Sequence, residues 1–312
     1  MDLSDRTILL TGGAGLVGSE LARELTAEND VLVVDDLSNG VRGCVPSSAE
    51  FVEGDISAAE TLEGVVTSDI DVVIHCAAAD KYVNSDEPRR QFESNVGMTH
   101  SLLEQVDDVG ITDVVFTSSS TVYGEAPRPT PEDYAPLEPI SAYGAAKLAE
   151  ESILSVYAHT RDLSVWNFRF ANVVAPRSGA GVIPDFVEKL ERDPDTLTIL
   201  GNGRQEKSYM HVEDCVDAIR HVTERAPHSA GPMQTYNLGT KTTTSVDRIA
   251  DIVSEEMTLD PAYEYTGGDR GWAGDVPKMR LSVEKLSALG WQPEYSSDQA
   301  VRQVARELAT AP

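Results

Sequence analysis

Residues 7–36 read TILLTGGAGLVGSELARELTAENDVLVVDD. TILLT is a short apolar run that ends on glycine, as a buried strand does. LVGSELARELTAE (16–28) then carries apolar side chains at helical spacing, and DVLVVDD (30–36) is a second apolar run. Strand, glycine-rich turn, helix and strand follow one another without a break.

The turn holds two overlapping patterns. Gly13, Gly15 and Gly18 give G-x-G-x-x-G, and Gly12, Gly15 and Gly18 give G-x-x-G-x-x-G. Glycine lets the backbone turn tightly and approach a pyrophosphate, and a helix N-terminus offers it free N–H groups and partial positive charge. The second strand ends on Asp35 and Asp36, at about the spacing expected of an acid that binds the adenosine ribose. A carboxylate accepts from both ribose hydroxyls and repels a 2′-phosphate, which favours NAD over NADP. One of the two acids suffices, and Asp35 is the candidate. Leu16 and Val17 at the helix start, and Asp55 and Ile56 after the third strand, are also cofactor-binding candidates.

The alternation continues outward. AEFVEGD (49–55), DVVIHCAAA (71–79), DVVFTSSS (113–120) and LSVWNFRF (163–170) read as further strands. Residues 88–106 and 141–159 read as helices, the latter with Ser141 as a candidate N-cap. Strict alternation implies an α/β fold, a Rossmann-type doubly wound parallel sheet covered on both faces. Beyond 170 the rhythm loosens and Gly and Pro become frequent. The expected division is a dinucleotide-binding domain over 1–170 and a smaller substrate-binding region over 171–312, partly interleaved with the sheet, ending in short helices near 282–289 and 297–309.

The chain has 312 residues, 41% of them hydrophobic, enough for a sizeable core. No apolar run approaches the ~20 residues that span a bilayer, and the N-terminus does not read as a signal peptide. Cys44, Cys76 and Cys215 are far apart and lack metal-ligand spacing, so no metal site is expected. The net charge is −27, and the acids are scattered along the whole chain. Such a surface repels nucleic acid and anionic membranes. It resembles that of salt-adapted, haloarchaeal cytoplasmic proteins, in which salt screens the self-repulsion.

In SAYGAAK (141–147), Tyr143 and Lys147 lie four residues apart, on one helix face. A tyrosine acting as a base near neutral pH needs its pKa lowered by about three units from ~10, and an adjacent ammonium pushes in that direction. With TGGAGLVG, HCAAA, ESNVGMT, SSSTVYG, YGAAK, RFANVVAPR, GWAGDV and LGWQP in this order, the chain resembles the extended short-chain dehydrogenase/reductase family, and within it the sugar-nucleotide epimerases. The resemblance implies that Tyr143 is the catalytic acid/base, that Lys147 is its partner and a ligand of the nicotinamide ribose, and that Ser119 orients the reacting sugar oxygen. Ser118 is the confounder, one residue away on the other strand face. Ala77 and Ala78 let the cofactor pass over the sheet edge, and Lys81 is a further candidate contact. Asn172, Lys207 and Arg270 are implied as ligands of the nucleotide sugar. Lys207–Ser208 departs from the family's Arg-Asp, and lysine lacks the bidentate fork. Arg204 either compensates or is solvated surface, and Asn95 reads as structural.

Related dehydratases carry Asp-Glu just after the catalytic hydroxyl, where this chain has Ser120 and Thr121. Redox at a single carbon then remains. The expected function is NAD-dependent epimerisation at C4 of a nucleotide sugar of the UDP-glucose/UDP-galactose type, through a 4-keto intermediate. The alternatives are a nucleotide-sugar dehydrogenase/reductase or a dehydratase on the same scaffold. The resemblance also implies a homodimer built through the helices near 90–106 and 143–159.

Overall fold

The structure, a computed structural model, describes residues 1–79, 87–272 and 274–310. Lys81 lies outside the described residues. Strands and helices alternate from the start as β1 (Thr7–Thr11), α1 (Leu16–Leu25), β2 (Asp30–Asp35), β3 (Glu50–Glu53), α2 (Ala59–Val65), β4 (Val72–His75), α3 (Pro88–Val109), β5 (Asp113–Ser119), α4 (Ala142–Thr160) and β6 (Ser164–Phe170). There follow β7 (Asn172–Val174), α5 (Val182–Arg192), β8 (Thr196–Ile199), β9 (Glu206–Lys207), β10 (Tyr209–His211), α6 (Val212–Arg225) and β11 (Met233–Leu238). The chain continues with β12 (Thr244–Ser245), α7 (Val246–Met257), β13 (Ala262–Tyr265), β14 (Lys278–Met279), α8 (Glu284–Ala288) and α9 (Ser297–Thr310).

Seven strands form one sheet in the order β11-β6-β5-β4-β1-β2-β3. β1 pairs in parallel with β2 on one side and β4 on the other, and the β2–β3 and β4–β5 pairs are parallel too. This is the Rossmann-type doubly wound sheet that the alternation predicts, with β11 added as a seventh strand. Strand order reverses at β1, so the carboxyl ends of β1 and β4 flank the switch point where open α/β sheets bind ligands. Both sheet faces are covered, which is why β1 and β4 are continuous apolar runs instead of alternating ones.

The chain divides into two compact units. The first comprises Met1–Val122, Ala142–Arg169 and Val216–Tyr236, and the second Tyr123–Ser141, Phe170–Cys215 and Asn237–Pro312. In the first, Leu102, Leu103 and Val106 of α3 and Leu154 and Ala158 of α4 pack with Leu9, Val73, Val114, Phe116 and Val165 of the sheet. Each such large side chain taken from water contributes about 1.5–3 kcal/mol. α3 ends at Gly110, whose φ of 82° is the left-handed cap that glycine adopts freely. In the second unit, Ile183, Phe186 and Leu190 of α5 pack with Ile249, Ile252 and Val253 of α7 and Val301 and Val304 of α9.

β4 stops at His75, short of the apolar run 71–79. The Cys76 N–H still donates to the Thr11 carbonyl of β1 at 3.0 Å, and by Ala79 the N–H donates to a side chain instead, Asn95 Oδ1 of α3, at 2.8 Å. No helix among the described residues is long and apolar enough to cross a membrane.

Candidate active site

The glycine loop joins β1 to α1. Gly12 has φ 69°, and a Cβ there would lie 2.5 Å from the Ala77 nitrogen after β4. A Cβ on Gly18 would lie 2.2 Å from the Gly12 carbonyl oxygen. These two glycines therefore serve the packing of α1 and β4 onto the loop. Gly15 differs, since a Cβ there meets only the Gly12 oxygen, at 3.3 Å. What it spares is space at the helix start. Gly15 is the N-cap of α1, no side chain caps that helix, and its first turn holds no acid. Its opening N–H groups, beginning at Leu16 and Val17, suit an anion.

Asp35 closes β2 and is buried. Its Oδ2 accepts from the Ala14 N–H at 2.9 Å and its Oδ1 from the Leu37 N–H at 2.9 Å. Leu37 adopts φ 58° to make that turn, a conformation that costs an ordinary side chain energy. Each carboxylate oxygen keeps one lone pair, the set that a vicinal diol requires. Asp36 is exposed and spends its Oδ1 on the Ser38 N–H and hydroxyl. The two adjacent acids thus differ, Asp35 buried and held by backbone N–H groups and Asp36 exposed. Asp55 is exposed and accepts from the Ser57 N–H at 2.8 Å, while the Ile56 side chain belongs to the hydrophobic core. Ala77 and Ala78 are half-buried beyond β4. Their loop is pinned by Asn95, which is fully buried and also donates to the Gln91 carbonyl. An uncapped helix start, a spared Cβ and a pre-aimed carboxylate together fit a dinucleotide.

Tyr143 and Lys147 lie one turn apart on α4, Tyr143 half-buried and Lys147 only 1% exposed. Lys147 Nζ sits 4.6 Å over the Phe116 ring of β5 and 3.4 Å from Glu150 Oε1. Glu150 Oε1 also accepts from Thr99 Oγ1 at 2.7 Å. Beneath them His75 lies between Thr11 Oγ1 (2.7 Å from Nδ1) and Thr99 Oγ1 (3.0 Å from Nε2). Burial, followed by the Lys147 charge, lowers His75 to about 3, so the ring is neutral. Burial pushes the Cys76 thiol up to about 12.

Ser119, at the end of β5, is half-buried. Its Oγ accepts from the Thr121 N–H at 3.2 Å and the Thr121 hydroxyl at 2.9 Å. With both lone pairs engaged, its own proton is what it has to offer a ligand oxygen. Ser118 is buried and donates to Glu151 Oε1 at 2.5 Å, and Glu151 holds Arg169 through two hydrogen bonds of 2.9 and 2.7 Å. Ser118 is therefore structural. Ser120 and Thr121 bring no carboxyl to the neighbourhood of Ser119.

In the second unit, Lys207 and Arg270 converge on Asp275. Lys207 Nζ is 2.5 Å from Asp275 Oδ1, and Arg270 Nη1 donates to the Asp275 carbonyl at 2.6 Å. Arg270 also pairs with Glu125. Asn172 opens β7 and stands in register with Tyr209 of β10. Arg204 is exposed. The sequence reading passed over Glu150, Glu151, Arg169, His75, Thr99 and Asp275. One signal was available for the first two: in α4 the buried positions are Gly144, Ala146, Lys147, Glu150, Glu151, Leu154 and Ala158, so both acids fall on the stripe that the apolar residues mark out.

The NAD dependent epimerase/dehydratase family matches residues 8–239. The UDP-glucose 4-epimerase of Mycolicibacterium smegmatis is 34% identical over 302 residues, covering 92% of this chain and 94% of its own. Among solved structures, a UDP-galactose 4-epimerase superimposes with a TM-score of 0.89 at 40% identity, covering 97% of this chain and 98% of its own. The UDP-glucose 4-epimerase of Thermotoga maritima, solved with UDP-glucose, gives 0.86 at 31% identity, with 96% and 98% covered.

Proposed function

The chain belongs to the NAD dependent epimerase/dehydratase family, and on that premise we propose that it interconverts the C4 epimers of a UDP-hexose, the UDP-glucose/UDP-galactose pair, by transient oxidation to a 4-keto sugar. It is an NAD-dependent isomerase. The observation that carries the reading is the buried Lys147 ammonium, one helical turn from Tyr143 on α4 and packed against β5, the strand that ends in Ser119.

Bound NAD supplies a hydride acceptor that becomes a hydride donor. Gly15 and the opening N–H groups of α1 hold its pyrophosphate, and Asp35 its adenosine ribose. Ser119 donates to the reacting sugar oxygen and fixes its position. Tyr143 takes the proton of the 4-hydroxyl and later returns it. Lys147 stabilises the phenolate and so brings proton transfer toward neutral pH. One proton leaves and the same proton is restored, so the cycle needs no further acid or base. The absence of a carboxyl on Ser120 and Thr121 favours this over elimination of water.

The first unit takes the cofactor and the chemistry, and the second the nucleotide, with Asn172, Lys207 and Arg270 as its ligands. Exposed apolar side chains on α3 and α4, Phe92 at 37% and Val156 at 58% exposure, support a homodimer built on those helices. The acidic surface supports work in a salt-rich cytoplasm. The purified protein, incubated with UDP-galactose and no added NAD, should form UDP-glucose, and denaturation should release NAD in stoichiometric amount. Tyr143→Phe should lower turnover by about 100-fold or more and keep the NAD. Accumulation of NADH and an oxidised sugar in equal amounts, without UDP-glucose, would indicate a net oxidoreductase instead.

A further inference from the structure

The proposed chemistry uses Lys147 and leaves its neighbour Glu150 without a role. The Lys147 side chain is 1% exposed and that of Glu150 0%. Ion pairs one turn apart on a helix are common on surfaces, where water makes each charge independent of the other. Here water is excluded, and each charge depends on its partner. Glu150 Oε1 takes the Lys147 ammonium at 3.4 Å and the Thr99 hydroxyl at 2.7 Å. Its Oε2 is buried and has no hydrogen-bond partner among the described residues.

Counting hydrogens gives the network a direction. The Thr99 hydroxyl has one proton and donates it to Glu150. It must then accept from His75 Nε2, 3.0 Å away, so that nitrogen is the protonated one. His75 Nδ1 in turn accepts from Thr11 Oγ1 at 2.7 Å. Three donors in series thus run from the end of β1 to one carboxylate oxygen on α4, which also takes the ammonium. The remaining groups around Glu150 supply no compensating charge. His75 and Cys76 of β4 are neutral, with values of about 3 and about 12. Thr99 of α3 and Phe116 of β5 do not titrate, and Glu151 of α4 is bound by Arg169.

We propose that Glu150 is a positioning residue for the acid/base pair: its carboxylate anchors the Lys147 ammonium and sets the charge that Tyr143 feels. This rests on Tyr143 and Lys147 being that pair. Burial, and to a lesser degree the Glu151 charge, raise the Glu150 carboxyl above its ordinary value while Lys147 and Thr99 pull against them, so the charge it carries depends on those two partners. Removing a negative charge lowers the proton affinity of every neighbour. Loss of the carboxylate should therefore move the phenol and the ammonium in the same direction.

The test is Glu150→Gln, which keeps the shape and removes the charge. Conversion of UDP-galactose is followed against pH, together with tyrosinate absorbance of the protein with the Tyr143→Phe signal subtracted. Both limbs of the activity profile, and the Tyr143 titration, should move to lower pH by about one unit. Thr99→Val removes one donor to the carboxylate and should move them the same way by less. Limbs and titration that superimpose on the wild type overturn the inference, even if the rate falls, because a merely structural carboxylate would lower the rate without moving them. If Glu150→Gln does not fold, Thr99→Val decides alone, and an unmoved profile overturns the inference. Turnover that survives Tyr143→Phe, by contrast, overturns the acid/base assignment itself.

Discussion

Acidifying the solution from about pH 7 to about pH 5 should cost this fold stability through one buried ring. His75 is 1% exposed, lies between the hydroxyls of Thr11 and Thr99, and has Lys147 close enough to oppose a second positive charge. Its ordinary value of 6.5 falls to about 3 in the fold. Between those values the unfolded chain carries a proton on this residue and the native chain does not. The contribution is therefore complete above 6.5 and lost progressively as the pH falls toward 3. At ~1.4 kcal/mol per pH unit, the loss from 6.5 down to about pH 5 comes to about 2 kcal/mol. Urea unfolding of the wild type and of His75→Asn, at both pH values and one fixed high salt concentration, isolates the ring. Surface carboxylates contribute equally to both proteins and cancel in the difference. The wild type should lose about 2 kcal/mol more than the variant. Equal losses in the two proteins would refute the reasoning, because they would mean that the native ring takes up a proton as readily as the unfolded one.

The two outer glycines of the loop and the middle one should separate by phenotype. Gly18→Ala forces a Cβ to 2.2 Å from the Gly12 carbonyl oxygen and should cost about 1–3 kcal/mol in thermal unfolding. Gly15→Ala meets only a 3.3 Å contact, so stripped of NAD it should unfold like the stripped wild type, and it should rebind NAD about tenfold more weakly or worse by calorimetric titration. Glu151→Leu removes the two-pronged carboxylate partner of Arg169, whose side chain is 7% exposed, and should cost about 3 kcal/mol in urea unfolding. With a net charge of −27, the melting temperature should rise steadily as potassium chloride is added, and a flat response would remove the case for salt adaptation.

The first half of the fold was legible because buried parallel strands write themselves as uninterrupted apolar runs. β1 matches TILLT end to end, and β2 and β5 each differ from their runs by one residue. Beyond β6 the signal fails for a physical reason. β9, β12 and β14 are two residues long, shorter than any hydrophobic period, and their partners are remote: Thr244 pairs with Lys207, and Lys278 with Glu206. β11, MQTYNL, mixes polar and apolar side chains with neither a continuous apolar run nor a strict alternation, and takes its place beside β6 from tertiary packing that no local pattern encodes. The bounds of the chain's return to the first unit, Val216–Tyr236, carry no local signal for the same reason.

The residues proposed to face the ligands stand out in the sequence, and the layer beneath them does not. Backbone requirements and reactive groups are chemical choices that show as letters: Gly15, Asp35, Ser119, Tyr143 and Lys147 stand out because few residue types could do the work proposed for them. The layer below is a matter of who is dry. Glu150 and Glu151 read as ordinary helix-surface acids, in a chain that has 52 acids to spare. Only burial reveals that one opposes Lys147 and the other Arg169, and that the two pairs divide the labour. Glu151 holds its arginine by a two-pronged contact and also takes the Ser118 hydroxyl. Glu150 holds its lysine by a single, longer contact of 3.4 Å and leaves one oxygen bare. A fully satisfied pair fixes structure, whereas an incompletely satisfied one has a charge that its neighbours can shift. It is the second kind of pair that lies one helical turn from the phenol.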